Sequence, residues 1–544
     1  MTLINLRITG MSCDGCARHV ESVLNALEEV EATVAYPEGR ARVRAPDSLG
    51  GEALVAAVED AGYGAEVVSP ESQPEASPDG SGLHVAVVGG GSAAFAGAIR
   101  AADAGARVTL IERATIGGTC VNVGCVPSKI RLKAAEAMHR AEHHPFRGIA
   151  RHRPEVDPEA LVAQQQERVA ELQQAKYRDI LAARPEVTFQ AGVARFEDGA
   201  TLAVTEPDGA EARLTPDRVL LATGSRPRIP AILGLAEGPY WTSTEALAAT
   251  EVPRRLMVLG GGYVGCELAQ AFARLGSAVT VVTRRGLLAD YDPELGAVLE
   301  AVFADEGIRV LGRREVETVS WSEEVVLTTS AGERLAADRL LVAAGRSPHT
   351  EDLAPDRAGV AVDADGAIRT DDRLTTSAPG IYAAGDCTDR PRLVYVAAAA
   401  GTRAAVNLTG GDARLDLSVL PQVVFTDPQV ATVGLTEAAA ADRGWATESR
   451  TLALNRVPRA LANFDTRGRI RLVAERDSGR LLGAHVAAEG AGEVIQSAAL
   501  ALRHGMTVQA LGDELFPYLT MAEGLKLCAQ TFTRDVTELS CCAG

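Results

Sequence analysis

Residues 3–9 alternate apolar and polar positions as a strand does, and a glycine-bearing loop follows them. Val20, Val23, Leu24 and Leu27 then recur at helical spacing. Residues 31–44 read as a hairpin turning at Pro37-Glu38-Gly39, and 54–61 as a second helix. This predicts a small ferredoxin-like β-α-β-β-α unit over 1–67. Residues 69–82 hold one apolar side chain, Ala76, among Pro, Ser, Gly and Glu, so 68–82 is predicted to be a flexible linker. A continuous apolar run, Val85-Ala86-Val87-Val88, opens the larger part directly before a glycine turn and a helical pattern. The same order returns at Leu256-Met257-Val258-Leu259. Two copies of one strand–glycine–helix unit predict two Rossmann-like nucleotide-binding domains. The segment from 419 on repeats neither.

Composition narrows the class. The chain has 544 residues, 47% apolar and 23% charged, enough for roughly three or four domains of ordinary globular type. A net charge of −18 argues against nucleic acid, whose phosphates need a basic face. No secretory leader is legible in the first residues, and no window approaches the ~20 apolar residues of a membrane span. A cytoplasmic location is expected. Six of the nine cysteines form three close pairs: Cys13 with Cys16, Cys120 with Cys125, and Cys541 with Cys542. In a reducing compartment such pairs are metal-binding or catalytic more often than structural. Cys266, Cys387 and Cys528 stand singly and read as packing residues, and His143-His144 as part of a solvated loop.

The first fingerprint is Gly89-Gly90-Gly91-Ser92-Ala93-Ala94. Gly89, Gly91 and Ala94 fit G-x-G-x-x-A, which brings a backbone and a helix N-terminus up to a pyrophosphate. Glu112 closes the next strand, where a carboxylate accepts from a ribose hydroxyl. The second is Gly260-Gly261-Gly262-Tyr263-Val264-Gly265, with Gly260, Gly262 and Gly265 in the three glycine places. Its second strand ends in Thr283-Arg284-Arg285 with no acid. Arg284 and Arg285 favour a 2′-phosphate, hence NADPH over NADH.

With Gly117-Gly118-Thr119-Cys120 running on to Cys125 and Lys129, the chain from 83 on resembles the flavoprotein disulfide reductases. Leu221-Ala222-Thr223-Gly224-Ser225 resembles the connecting segment of that family, and Ala383-Ala384-Gly385-Asp386 its late FAD motif. The resemblance implies FAD binding over 83–230 and 349–418, NADPH binding over 231–348, and an α+β dimerisation domain over 419–544. Gly118, Thr119, Thr223, Gly224 and Asp386 would join the FAD site, Asp386 at the ribityl chain. Cys125 would be the thiol beside the flavin and Cys120 the interchange thiol, with Lys129 and Glu267 contacting the flavin.

Disulfide-reducing members carry His-Pro-Thr-x-x-Glu near the end, where the His moves the proton of the substrate thiol. Here Tyr518-Leu519-Thr520-Met521-Ala522-Glu523 stands in that place, and Cys541-Cys542 is added behind it. These departures resemble the mercury-reducing branch of the family. That branch implies a homodimer whose active site is shared across subunits, with the tail of one reaching the redox pair of the other. It also implies Tyr518 and Tyr177 beside the metal. The expected reaction is reduction of thiol-bound Hg(II) to volatile Hg(0), with Cys120, Cys125, Cys541 and Cys542 as successive metal ligands. Residues 1–67 resemble the heavy-metal-associated domain through Gly10-Met11-Ser12-Cys13-Asp14-Gly15-Cys16. Cys13 and Cys16 are its metal thiols, for Hg(II), Cu(I) or Zn(II), and a membrane mercury transporter is an expected donor. Two rivals stay open. One is a general dithiol–disulfide oxidoreductase, against which Tyr518 and the Cys-Cys tail count. The other is a metal-binding protein with vestigial nucleotide domains, against which the intact fingerprints count.

Overall fold

The computed structural model describes residues 2–11, 14–27, 30–35, 39–46, 48–68 and 82–535. Cys13, Cys541, Cys542, most of the expected linker and the tip of the 31–44 hairpin lie outside the described residues. The chain divides into two compact units, one ending at Gly82 and the other starting at Leu83.

The first unit is one antiparallel sheet in the order β2-β3-β1-β4, built from β1 (Thr2–Thr9), β2 (Glu31–Ala35), β3 (Arg40–Ala45) and β4 (Gly64–Val68). Helices α1 (Asp14–Asn25) and α2 (Gly51–Asp60) supply the other layer. Leu6, Ile8, Val20, Leu24, Val43, Leu54 and Val58 are buried between them, the periodic positions of the sequence. Strand β4 extends the β-α-β-β-α reading by one element. Gly64 and Glu66 interrupt its apolar alternation, so its order comes from pairing along β1. Cys16 lies half-buried in the first turn of α1.

Among the described residues the second unit holds two parallel sheets and four antiparallel ones, the largest of these with five strands. In the first, β5 (His84–Val88), β6 (Arg107–Glu112), β7 (Val187–Ala191), β8 (Arg218–Leu221) and β13 (Ile381–Ala383) stand in the order β13-β8-β5-β6-β7. The late strand thus returns beside the early ones. Helix α3 (Ser92–Asp103) packs on helix α10 (Val394–Leu408). The contact is backbone to backbone: a Cβ on Gly401 would lie 2.0 Å from the Ala93 carbonyl oxygen. The second parallel sheet runs β11-β10-β9-β12, from β9 (Arg255–Leu259), β10 (Ala278–Thr283), β11 (Arg309–Gly312) and β12 (Arg339–Val342). Helix α8 (Tyr263–Leu275) follows β9. The last sheet is five antiparallel strands between Gln422 and Ala488, with Ala491–Arg503 and Glu523–Gln530 packed on it. The β5, β9 and β12 runs are buried throughout or nearly so, as parallel strands covered on both faces must be. Among the described residues no helix is long and apolar enough to cross a membrane.

Candidate active site

A cleft of about 1050 Å³, its mouth included, opens where the two parallel sheets and the first turn of α5 (Cys125–His143) meet. Gly91 caps α3 without a side-chain partner, so the helix end presents bare N–H groups to the cleft. Gly89 sits at φ 121°, where its Cβ would collide with the Ala222 carbonyl oxygen at 2.2 Å. Gly118, at φ 59°, touches Gly91 so closely that a Cβ would lie 2.7 Å from the Gly91 Cα. Ala94 is buried behind this turn. Glu112 ends β6 with its carboxylate against Gly90, in a smaller pocket shared with Thr223 and His349. The Thr223 hydroxyl there is buried and has no partner, as a group awaiting a ligand would be. Asp386 accepts from the Ser225 hydroxyl at 2.7 Å, with Arg346 3.9 Å away. Together the bare helix end, the side-chain-free turn and the orphan hydroxyl fit a dinucleotide such as FAD.

The thiol pair lies on the wall of this cleft. Cys120 belongs to the short helix α4 (Gly118–Asn122), and Cys125 opens α5. Asn122 fixes the segment: its amide donates to the Ile116 and Gly118 carbonyls at 3.0 and 2.9 Å, and its oxygen accepts from Gln173. A hydrogen bond from Cys120, then the Lys129 charge, bring the Cys125 thiol down to about 7 against the effect of burial. The same shared proton pushes the Cys120 thiol up. Lys129 pairs with Glu267 at 2.8 Å and lies 4.4 Å above the Phe425 ring. Glu267, almost fully buried on α8, also accepts from the Phe425 amide at 2.9 Å.

Tyr177 reaches this place through a π-helical turn, Gln174–Arg178, whose extra residue rotates the side chain off the preceding helical face. Its ring tilts on Phe95 at 4.7 Å and its hydroxyl bonds with Ser92. Burial, then the nearness of Cys120, push its phenol up. Tyr518 does not line the Cys120–Cys125 cleft of its own chain; it is 56% exposed on the C-terminal part. Tyr263 was not singled out from the sequence, yet it lines the cleft four residues before Glu267 on the same helix face. That spacing was the available signal.

At the second glycine turn a Cβ on Gly260 would lie 2.3 Å from the Ala343 carbonyl oxygen, and one on Gly265 2.2 Å from that of Gly260. Gly262 caps α8 with open space where a Cβ would stand. This turn too fits a nucleotide. Arg284 and Arg285 follow β10, but only Arg284 is left without an ion pair among the described residues. Arg285 is held by Asp290 through two bonds of 2.7 and 2.9 Å. Cys266, Cys387 and Cys528 are fully buried. The histidine reading needs correction: His143 ends α5, and both ring nitrogens of His144 are buried without a partner, because the following loop folds Phe146 over that ring.

Comparison with known proteins accounts for this layout. The pyridine nucleotide-disulphide oxidoreductase model matches residues 83–401, its dimerisation domain matches 420–529, and the heavy-metal-associated domain matches 5–64. A mercuric reductase of Acidithiobacillus ferrooxidans is 55% identical, covering 99% of this chain and 98% of its own. The chain belongs to the mercuric reductases of the pyridine nucleotide-disulphide oxidoreductase family. A mercuric reductase of Shigella flexneri is 52% identical over 99% of this reductase and all of its own length. Among solved structures, the HOCl-induced flavoprotein disulfide reductase of Escherichia coli superposes with a TM-score of 0.74 at 29% identity. That likeness covers 83% of this reductase and all of the other chain. The reductase carries the family's dimerisation domain, which supports a homodimer, and a metal-binding domain of heavy-metal-associated type.

Proposed function

We infer that the reductase uses NADPH and FAD to convert thiol-bound Hg(II) into Hg(0), with Cys120 and Cys125 as the metal's last protein ligands. The observation that carries this is the thiol pair on the cleft wall, one member already acidic near neutral pH, beside Lys129 and Glu267. When bound in the two cradles, the nucleotides supply the two electrons that the side chains lack. Gly89, Gly91, Gly118, Thr119, Thr223, Gly224, Glu112 and Asp386 would hold FAD, and Gly260, Gly262 and Gly265 the second dinucleotide. Thiolates suit capture because they are soft ligands, and each transfer replaces one Hg–S bond with another as the displaced thiolate leaves. Lys129 fixes negative charge at Cys125, and Glu267 fixes Lys129. Tyr177 walls the pair off from water. Tyr518 and the Cys541-Cys542 tail act from the second subunit, since Tyr518 is solvent-facing within its own. The N-terminal unit delivers metal through Cys13 and Cys16 in the cytoplasm, where a membrane mercury transporter supplies it.

The test is NADPH oxidation by the flavin-loaded homodimer with Hg(II) in excess thiol, then with oxidised glutathione or lipoamide. Oxidation that depends on Hg(II) and releases volatile mercury is expected. Oxidation with a disulfide alone would return the chain to the general disulfide reductases. A Cys541→Ala/Cys542→Ala variant that kept the full rate on thiol-bound Hg(II) would remove the tail from the relay.

A further inference from the structure

Two pairs of adjacent arginines end neighbouring parallel strands at the edge where the second glycine turn lies. Arg284-Arg285 follow β10 and Arg313-Arg314 follow β11. The strands are in register with Thr283 opposite Gly312, so Arg284 and Arg313 stand opposite each other one position further on. The ladder is still closing there, because the Arg314 amide donates to the Thr283 carbonyl at 3.0 Å. Neighbouring strands are about 4.8 Å apart, so the two backbones present their arginines as one group.

The second member of each pair has a carboxylate beside it. Arg285 is bound by both carboxylate oxygens of Asp290, and Arg314 lies 3.9 Å from Glu333. Glu333 also binds Arg309 at 2.8 Å. The first members, Arg284 and Arg313, are exposed and have no ion pair among the described residues. Arg313 also holds φ at 55°, a region that β-strand arginines avoid. The glycine turn abuts the same place: a Cβ on Gly261 would meet the Thr283 hydroxyl at 2.9 Å and the Gly286 carbonyl oxygen at 2.6 Å. A dinucleotide with its pyrophosphate on that turn extends its adenosine ribose along the strand ends.

We propose that Arg313, with Arg284, clamps the 2′-phosphate of NADPH, and that Arg285 is excluded from it by Asp290. The clamp rests on the NADPH reading above and sharpens it: selectivity comes from two strands, one of them outside the fingerprint.

The test is calorimetric binding to the flavin-loaded homodimer of adenosine 2′,5′-bisphosphate and of adenosine 5′-monophosphate. The wild type should bind the bisphosphate more tightly. Arg313→Asn, chosen because Asn tolerates a positive φ, should weaken the bisphosphate by roughly tenfold and leave the monophosphate unchanged. Arg313→Lys should recover part of the difference. A wild type that binds both nucleotides equally would overturn the NADPH reading itself. A wild type that discriminates, with Arg313→Asn unaltered and Arg285→Asn impaired, would overturn only the assignment of Arg313.

Discussion

At Cys125 three effects act on one sulfur. The Cys120 thiol donates to it, Lys129 stands one turn along its own helix, and burial opposes ionisation. The balance places its titration near 7, so the thiolate forms as pH rises through neutrality and is lost below it. Alkylation of the reduced enzyme by iodoacetamide should therefore accelerate with pH about a midpoint near 7. Lys129→Met should move that midpoint upward, because a cation that favours the thiolate is gone. A midpoint that stayed in place would leave Cys120 and the helix end as its whole cause. Both cysteines and Lys129 were legible because they sit in one continuous motif, whereas Glu267 came only through the resemblance. Tyr177 was harder to read: its direction depends on a π-helical turn, and 3.6-residue periodicity carries no sign of one. Asn122 escaped notice because its role is to tie the 116–118 turn to the Gln173 side chain, a meeting that only the fold assembles.

Among elements, the nucleotide-binding part was readable wherever one strand is buried on both faces, since Val85–Val88 and Leu256–Leu259 then appear as unbroken apolar runs. Strand β4 and the linkage between sheets were not. The linkage is ionic: Arg274 on α8 bonds to Glu306 at 2.6 Å and to Asp427, at the edge of the antiparallel sheet, at 2.9 Å. Arg471 likewise joins Glu294 on α9 (Pro293–Asp305) to the antiparallel sheet. In sequence these are scattered charges with no period. Arg274 and Glu306 are only 4% and 7% exposed, so removing Arg274 leaves the buried Glu306 with only the more distant Arg467, at 3.6 Å, as an ion-pair partner among the described residues. Arg274→Met should cost about 3–5 kcal/mol of stability, read as a lower denaturant midpoint of the holoenzyme. Adding Glu306→Gln should restore a good part of it; no restoration would mean that packing and not charge is at stake.

On the scale of the whole molecule, the chain is two units, and the segment expected to be flexible joins them in sequence. A chain starting at Leu83 should keep its turnover on Hg(II) in excess small thiol, because every residue assigned to the cleft lies beyond that point. A large loss of kcat there would make the N-terminal unit part of the catalytic machinery. The larger unit also contains three solitary thiols, each fully buried and donating to a backbone carbonyl: Cys266 to Gly261, Cys387 to Ala384 and Cys528 to Ile470. Burial pushes all three up, Cys528 to about 12, so none offers a thiolate to a soft metal. The native fold therefore sorts the cysteines into those that meet mercury and those that never do. A chain still being made has no such sorting. Metal met during synthesis is therefore expected to reach Cys266, Cys387 and Cys528 in the interval before they are enclosed. Hg(II) present during refolding should lower the yield of active enzyme far more than the same dose added afterwards.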